Sequence, residues 1–207
     1  ANGTFNVTHK GLQNNSYYNV YPVNSSNVYT IKSFAVRVES ATNSNSDDVV
    51  TIKSGTITNS VGGGVSVSGG TLNLGVEGAA NDSLSVTTTG TGVGEDEQNN
   101  NGQFYGNWVF RENRTGGSAV EVTGGKLNVY CGTFTAAQGD GIFVKGGNAV
   151  INGGSFSGND AYVTSTNLRA GIAASYAFKM YGGTVTINNG SFKSQGSGAM
   201  IIGTNGS

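Results

Sequence analysis

Few side chains in this sequence could take part in chemistry, and they fall into four groups. Asp47 and Asp48 form an adjacent carboxylate pair, and Glu95, Asp96 and Glu97 form an acidic run. Cys131 and His9 are the only cysteine and the only histidine. The fourth group is the stretch GQFYGNWVFRENR at 102–114, which places the only tryptophan, Trp108, among Phe104, Tyr105, Phe110, Arg111 and Arg114. Aromatic rings beside Arg, Asp and Asn suit a sugar: a ring lies on the apolar face of a pyranose while polar groups bond its hydroxyls.

The other groups offer less. Consecutive carboxylates read as a solvated run, because calcium ligands normally alternate with spacer residues. Cys131 lies in an apolar alternating pattern that suits a buried, inert thiol, and one cysteine forms no intrachain disulfide. No zinc-ligand cluster, Walker loop or calcium-binding nonapeptide repeat occurs, so no cofactor or metal is expected. A lyase would need an Arg or Lys base beside several carboxylates; Asp140, Lys145 and Arg169 could come together, but they supply a single acid.

These residues are carried by a repeat. A Gly-Gly pair, an alternating stretch and a Gly-Ser/Thr-Phe step recur as GGKLNVYCGTF from Gly124, GGNAVINGGSF from Gly146 and GGTVTINNGSF from Gly182. Alignment puts Leu127, Ala149 and Val185 in one register, Val129, Ile151 and Ile187 in a second, and Phe134, Phe156 and Phe192 in a third. A further apolar pair precedes each Gly-Gly: Val65 and Val67, Val120 and Val122, Ile142 and Val144, Phe178 and Met180. Asp47-Asp48 precedes Gly69-Gly70 by the same interval that separates Gly124 from Gly146. It stands in the Gly-Gly place, with Val50, Ile52 and Ile57 in the apolar rows.

Alternation with period two means strands, and a period of about 22 residues holding two or three strands means a coil that buries its apolar side only by stacking on neighbours. The expected fold is all-β, a right-handed parallel β-helix or solenoid of 22-residue coils, with 1–46 as irregular first coils or an N-terminal cap and 47–207 as regular coils. Charged residues are only 11% of the chain and the net charge is -1, which excludes a basic nucleic-acid surface or a patch for anionic membranes. No apolar stretch reaches the length of a membrane-spanning helix.

The Gly-rich repeat resembles the right-handed parallel β-helices of the pectin-lyase-like superfamily, of the kind common in bacterial surface proteins, over about residues 47–203. Within it, SDDVVTIKSG at 46–55 resembles the Asp-Asp to Lys-Ser-Gly stretch of polygalacturonases, where the resemblance implies an acid–base role for the Asp pair. The match stops at Gly55, and the Gly-His-Gly and Arg-Ile-Lys motifs of that family are absent. A polysaccharide lyase or hydrolase is therefore the least favoured reading, and no catalytic residues are assigned.

Two insertions interrupt the repeat. The interval from Gly69 to Gly124 is 55 instead of 22, read as one coil with 33 extra in a loop near 87–117; that from Gly146 to Gly182 is 36, with 14 extra near 157–176. Both loops are expected on one side, flanking a plain coil that turns at Asp140. A carbohydrate-binding face would use Tyr105, Trp108, Arg111, Asp140, Tyr162 and Arg169. The favoured function is a non-catalytic extracellular or cell-surface structural or adhesive protein, with a polysaccharide as the partner in the alternative reading. Asn-X-Ser/Thr acceptors for glycosylation stand at Asn2, Asn6, Asn14, Asn24, Asn81, Asn113, Asn189 and Asn205. The start at Ala1 fits a processed or excised secreted chain, and the apolar residues of Gly198 to Ile202, followed only by 203–207, leave a rung open. Self-association end to end into a fibre, through Thr4 to Thr8 of a next subunit, or an adjoining domain would cover it.

Overall fold

The structure, a computed structural model, describes residues 4–7, 34–39, 48–59, 63–79, 83–88, 97–98, 104–105, 118–137, 139–159, 161–163, 171–173, 175–195 and 198–203. Among them there is no helix. The main strands form three parallel sheets. Sheet I holds β2 (Phe34–Val38), β5 (Gly63–Val67), β10 (Val120–Val122), β13 (Ile142–Val144), β18 (Tyr176–Met180) and β21 (Gly198–Ile202) in that order. Sheet II holds β3 (Val49–Ile52), β6 (Thr71–Leu74), β11 (Lys126–Val129), β14 (Asn148–Ile151) and β19 (Thr184–Ile187). Sheet III holds β1 (Thr4–Val7), β4 (Gly55–Asn59), β7 (Leu84–Thr88), β12 (Thr133–Ala136), β15 (Ser155–Asn159) and β20 (Ser191–Gln195). The chain visits sheets I, II and III in turn, and each pass lays its strands in parallel against those of the pass before, as a stacked coil requires.

The pairing fixes which side chains meet. Val36, Val65, Val120, Ile142, Phe178 and Met200 form one inward row of sheet I. Val50, Leu72, Leu127, Ala149 and Val185 form a row of sheet II. In sheet III the row is Ile57, Val86, Phe134, Phe156 and Phe192. Leu72, Leu127, Phe134, Ile142 and Phe156 are fully buried, each contributing about 1.5–3 kcal/mol of apolar burial. The phenylalanines stack through the core at centroid distances of 4.9 Å (Phe134–Phe156) and 5.1 Å (Phe156–Phe192). The rows expected from the repeat are therefore the rows observed.

The Gly-Gly step has a steric cause. Gly125, Gly147 and Gly183 have φ of 65°, 73° and 84°, and a Cβ on Gly147 would lie 2.7 Å from the carbonyl carbon of Gly124 in the coil beneath. The backbone is thus both left-handed and in direct contact along the stack. Asp48 occupies the same place in the preceding coil: its carbonyl accepts the Thr71 N–H at 2.8 Å, as Gly70 accepts Lys126 N–H at 2.8 Å.

The insertions are placed by offsets in register. Leu127 pairs with Leu72, so a single coil does span the interval from Gly69 to Gly124. The extra length does not lie in one loop, however. Ile57 pairs with Val86 and Val86 with Phe134, offsets of 29 and 48 instead of 22. Seven of the 33 therefore sit between β6 and β7, and 26 between β7 and β10. Gly75 at φ 81° and the turn at Glu77–Gly78 begin the shorter one. A period counted between Gly-Gly pairs cannot see at which corner of the coil residues were added. The later insertion falls between Asn159 and Tyr176, where Phe156 pairs with Phe192. The segment 1–46 contributes β1 and β2 to the stacks, with 8–33 between them.

Candidate functional site

Three long connections share one corner, the passage from sheet III to sheet I: β1 to β2, β7 to β10 and β15 to β18. The last two flank the short connection from β12 to β13, which carries Asp140. Each of these two holds a small antiparallel pair, β8 (Glu97–Gln98) with β9 (Phe104–Tyr105) and β16 (Ala161–Val163) with β17 (Gly171–Ala173). Tyr105 stands opposite Glu97 and Tyr162 opposite Ile172 in backbone register. Trp108, Arg111 and Arg169, and the side chains of Tyr105 and Tyr162, lie outside the described residues. Asp140 is the one sugar-binding candidate whose side chain is described. It is fully buried: Oδ1 accepts the Tyr176 N–H at 2.8 Å, and Oδ2 lies 3.7 Å from Lys179 Nζ.

Asp140 belongs to a cluster outside sheet I. The outward row of that sheet runs Arg37, Ser66, Glu121, Phe143, Lys179 and Ile201. Outward positions of a stacked coil normally meet water, yet Glu121 is 3%, Phe143 3% and Lys179 5% exposed. Two carboxyl–amine pairs bracket the Phe143 ring. Lys145 Nζ lies 3.2 Å from Glu121 Oε2 and 4.7 Å from the ring centroid, and Lys179 Nζ lies 4.5 Å from the same centroid. Tyr181 meets Phe143 edge-on at 5.3 Å, with its own ring 4.8 Å from Lys179 Nζ. Burial holds the Glu121 carboxyl above its ordinary value of 4.5; Lys145 pulls it down by charge and hydrogen bond, and the Asp140 carboxylate pushes it up. Of the set Asp140, Lys145 and Arg169, Lys145 contacts Glu121, Asp140 contacts Lys179, and Arg169 lies outside the described residues.

Nothing in the sequence singles out Glu121, Phe143 and Lys179 one by one. Each is flanked by inward apolar residues, as Val-Glu-Val, Ile-Phe-Val and Phe-Lys-Met, and alternation assigns such a middle residue to solvent. Their register, Glu121 beside Phe143 beside Lys179, is the signal that the repeat carries.

Asp48 is an exposed turn residue. Cys131 is buried, with Sγ 3.5 Å from the Val76 N–H, and no group of three or more metal-ligating side chains occurs among the described residues. Asn189 is exposed, its Oδ1 accepting the Gly190 N–H at 2.8 Å. Asn6 lies in β1 with its side chain undescribed, and Asn2, Asn14, Asn24, Asn81, Asn113, Asn205, His9, Asp47, Glu95 and Asp96 fall outside the described residues. Comparison of the chain with protein-family models, with curated proteins and with solved structures finds no match in any of the three.

Proposed function

We propose that this chain is a right-handed parallel β-helix of the pectin-lyase-like kind, serving as a non-catalytic structural or adhesive protein outside the cell or on its surface. It joins to a second copy or an adjoining domain through its terminal coils. The observation that carries this reading is the outermost rung formed by β19, β20 and β21. Its inward-row residues Ile187, Met200 and Ile202 are 39%, 45% and 72% exposed, whereas Ile151, Phe178 and Val144 one rung or two inside are buried. At the opposite end β1, β2 and β3 are the edge strands of the same three sheets, with the inward-row Val50 37% exposed. Each sheet thus presents one free edge at either end among the described strands, and an edge with an apolar row is a template for another strand. β1 already pairs with β4 of its own chain, so a joining copy would add to the outer side of β1. A contact of this head-to-tail kind does not close and yields a fibre.

Light scattering and electron microscopy of the 207-residue chain test this. Mass growing with concentration, abolished by Met200→Asp with Ile202→Asp, is expected; a strictly monomeric particle at all concentrations overturns self-association.

A second reading, a carbohydrate-binding module, is supported by the two insertions that leave the same corner on either side of one plain coil. With rungs about 4.8 Å apart, their roots lie about 10 Å apart, a span suited to a short glycan. Glycan binding that falls on Trp108→Ala or Tyr105→Ala, with the β spectrum kept, would establish it.

A further inference from the structure

Apart from Asp140, which the sugar-binding reading names, the carboxyl–amine cluster outside sheet I has no part in the readings above. We propose that Lys179 and Asp140 become joined by an intramolecular amide bond.

The geometry sets the two groups up as reaction partners. Asp140 is 0% and Lys179 5% exposed, and Nζ stands 3.7 Å from Oδ2, the oxygen bonded to the carbon that Nζ would attack. Both partners are confined. The Tyr176 N–H holds the other carboxyl oxygen at 2.8 Å, and the Phe143 and Tyr181 rings hold Nζ at 4.5 Å and 4.8 Å. Burial disfavours a charged pair, and transfer of a proton from the ammonium to the carboxylate leaves a neutral amine and a neutral acid, the forms that condense. Glu121 is the second buried carboxyl of the cluster, set two strands from Lys179 across Phe143 and within electrostatic reach of Asp140.

The step balances without a further reactant. The Nζ lone pair attacks the Asp140 carboxyl carbon and the C–N bond forms. A proton passes from the nitrogen to the departing hydroxyl, the C–O bond breaks, and one water leaves. Nothing is oxidised or reduced. The bond ties the coil of β13 to the coil of β18 at the base of the insertion between them, and it holds whether or not the ends of the molecule associate.

Intact mass of the purified, denatured chain and a tryptic digest decide the matter. The chain is expected to be lighter than its sequence by one water. Trypsin cannot cut after an amidated lysine, so a branched peptide should appear in which 127–145 is joined to 170–193. Lys179→Met, which keeps an unbranched side chain, should have its full sequence mass. A folded parent chain at full mass, releasing 127–145 and 170–179 separately, overturns the proposal. Water loss that persists in Lys179→Met overturns the assignment to this pair.

Discussion

The outward rows of sheets I and II have the same backbone origin and opposite fates. In sheet II the row runs Thr51, Asn73, Asn128, Val150 and Thr186, none of them buried. Its polar members bond along the stack, Asn128 Nδ2 to Asn73 Oδ1 at 2.8 Å and Asn73 Nδ2 to Thr51 Oγ1 at 3.2 Å. In sheet I the row carries Glu121 and Lys179, the more strongly hydrated groups, and these are the ones removed from water. Pointing away from the coil's interior is therefore not the same as facing solvent. A neutral amide ladder at a wet surface adds little and costs little, whereas a buried charge must be paired, here with a partner one rung away, Glu121 with Lys145 and Asp140 with Lys179.

The inward rows should not distinguish the two sheets. Ile142→Asp in sheet I and Ile151→Asp in sheet II each place an unpaired carboxylate in the apolar stack and should cost about 5 kcal/mol or more, unfolding the chain by circular dichroism. A soluble, native-like variant of either would show that the inward register is wrong on that sheet.

The outward rows should separate them. Lys145→Met leaves the buried Glu121 carboxylate without its ion-pair partner and should cost about 2–3 kcal/mol by urea denaturation at neutral pH. A loss no greater than that of an exposed substitution would place Glu121 in water and erase the contrast.

The pH dependence sharpens the same point. Because the folded-state value of Glu121 is raised, the unfolded chain ionises first as pH rises past 4.5. Stability therefore falls through the interval up to the folded-state value, and below 4.5 both states are protonated and the effect is absent. Glu121→Gln should remove this slope, and the cost of Lys145→Met should shrink toward acid; equal slopes in parent and Glu121→Gln would contradict the burial. The smallest effect belongs to sheet II, where Asn128→Ala should cost about 0.5–1.5 kcal/mol at any of these pH values.

The stacking order could be read from residues alone because it repeats. Leu127 above Leu72 and Phe156 above Phe134 follow from a period, and a period shows in one dimension because each coil has only its neighbours to pack against. The same logic located the corner shared by the two long insertions. It misplaced the short insertion between β6 and β7, since spacing between Gly-Gly pairs measures the length of a coil and not the corner at which length was added.

Of the six residues assigned to a sugar-binding face, the described structure speaks to the side chain of Asp140, which lies buried against Lys179 and the Tyr176 N–H. Alternation named the side of the sheet on which Glu121, Phe143 and Lys179 stand, and there its information ended. Whether that side is wet depends on contacts between residues far apart along the chain, such as Asp140 with Lys179, and these obey no period. The inward rows are a property of the repeat; the buried charges are a property of where the repeat is broken and what the three-dimensional packing brings against it.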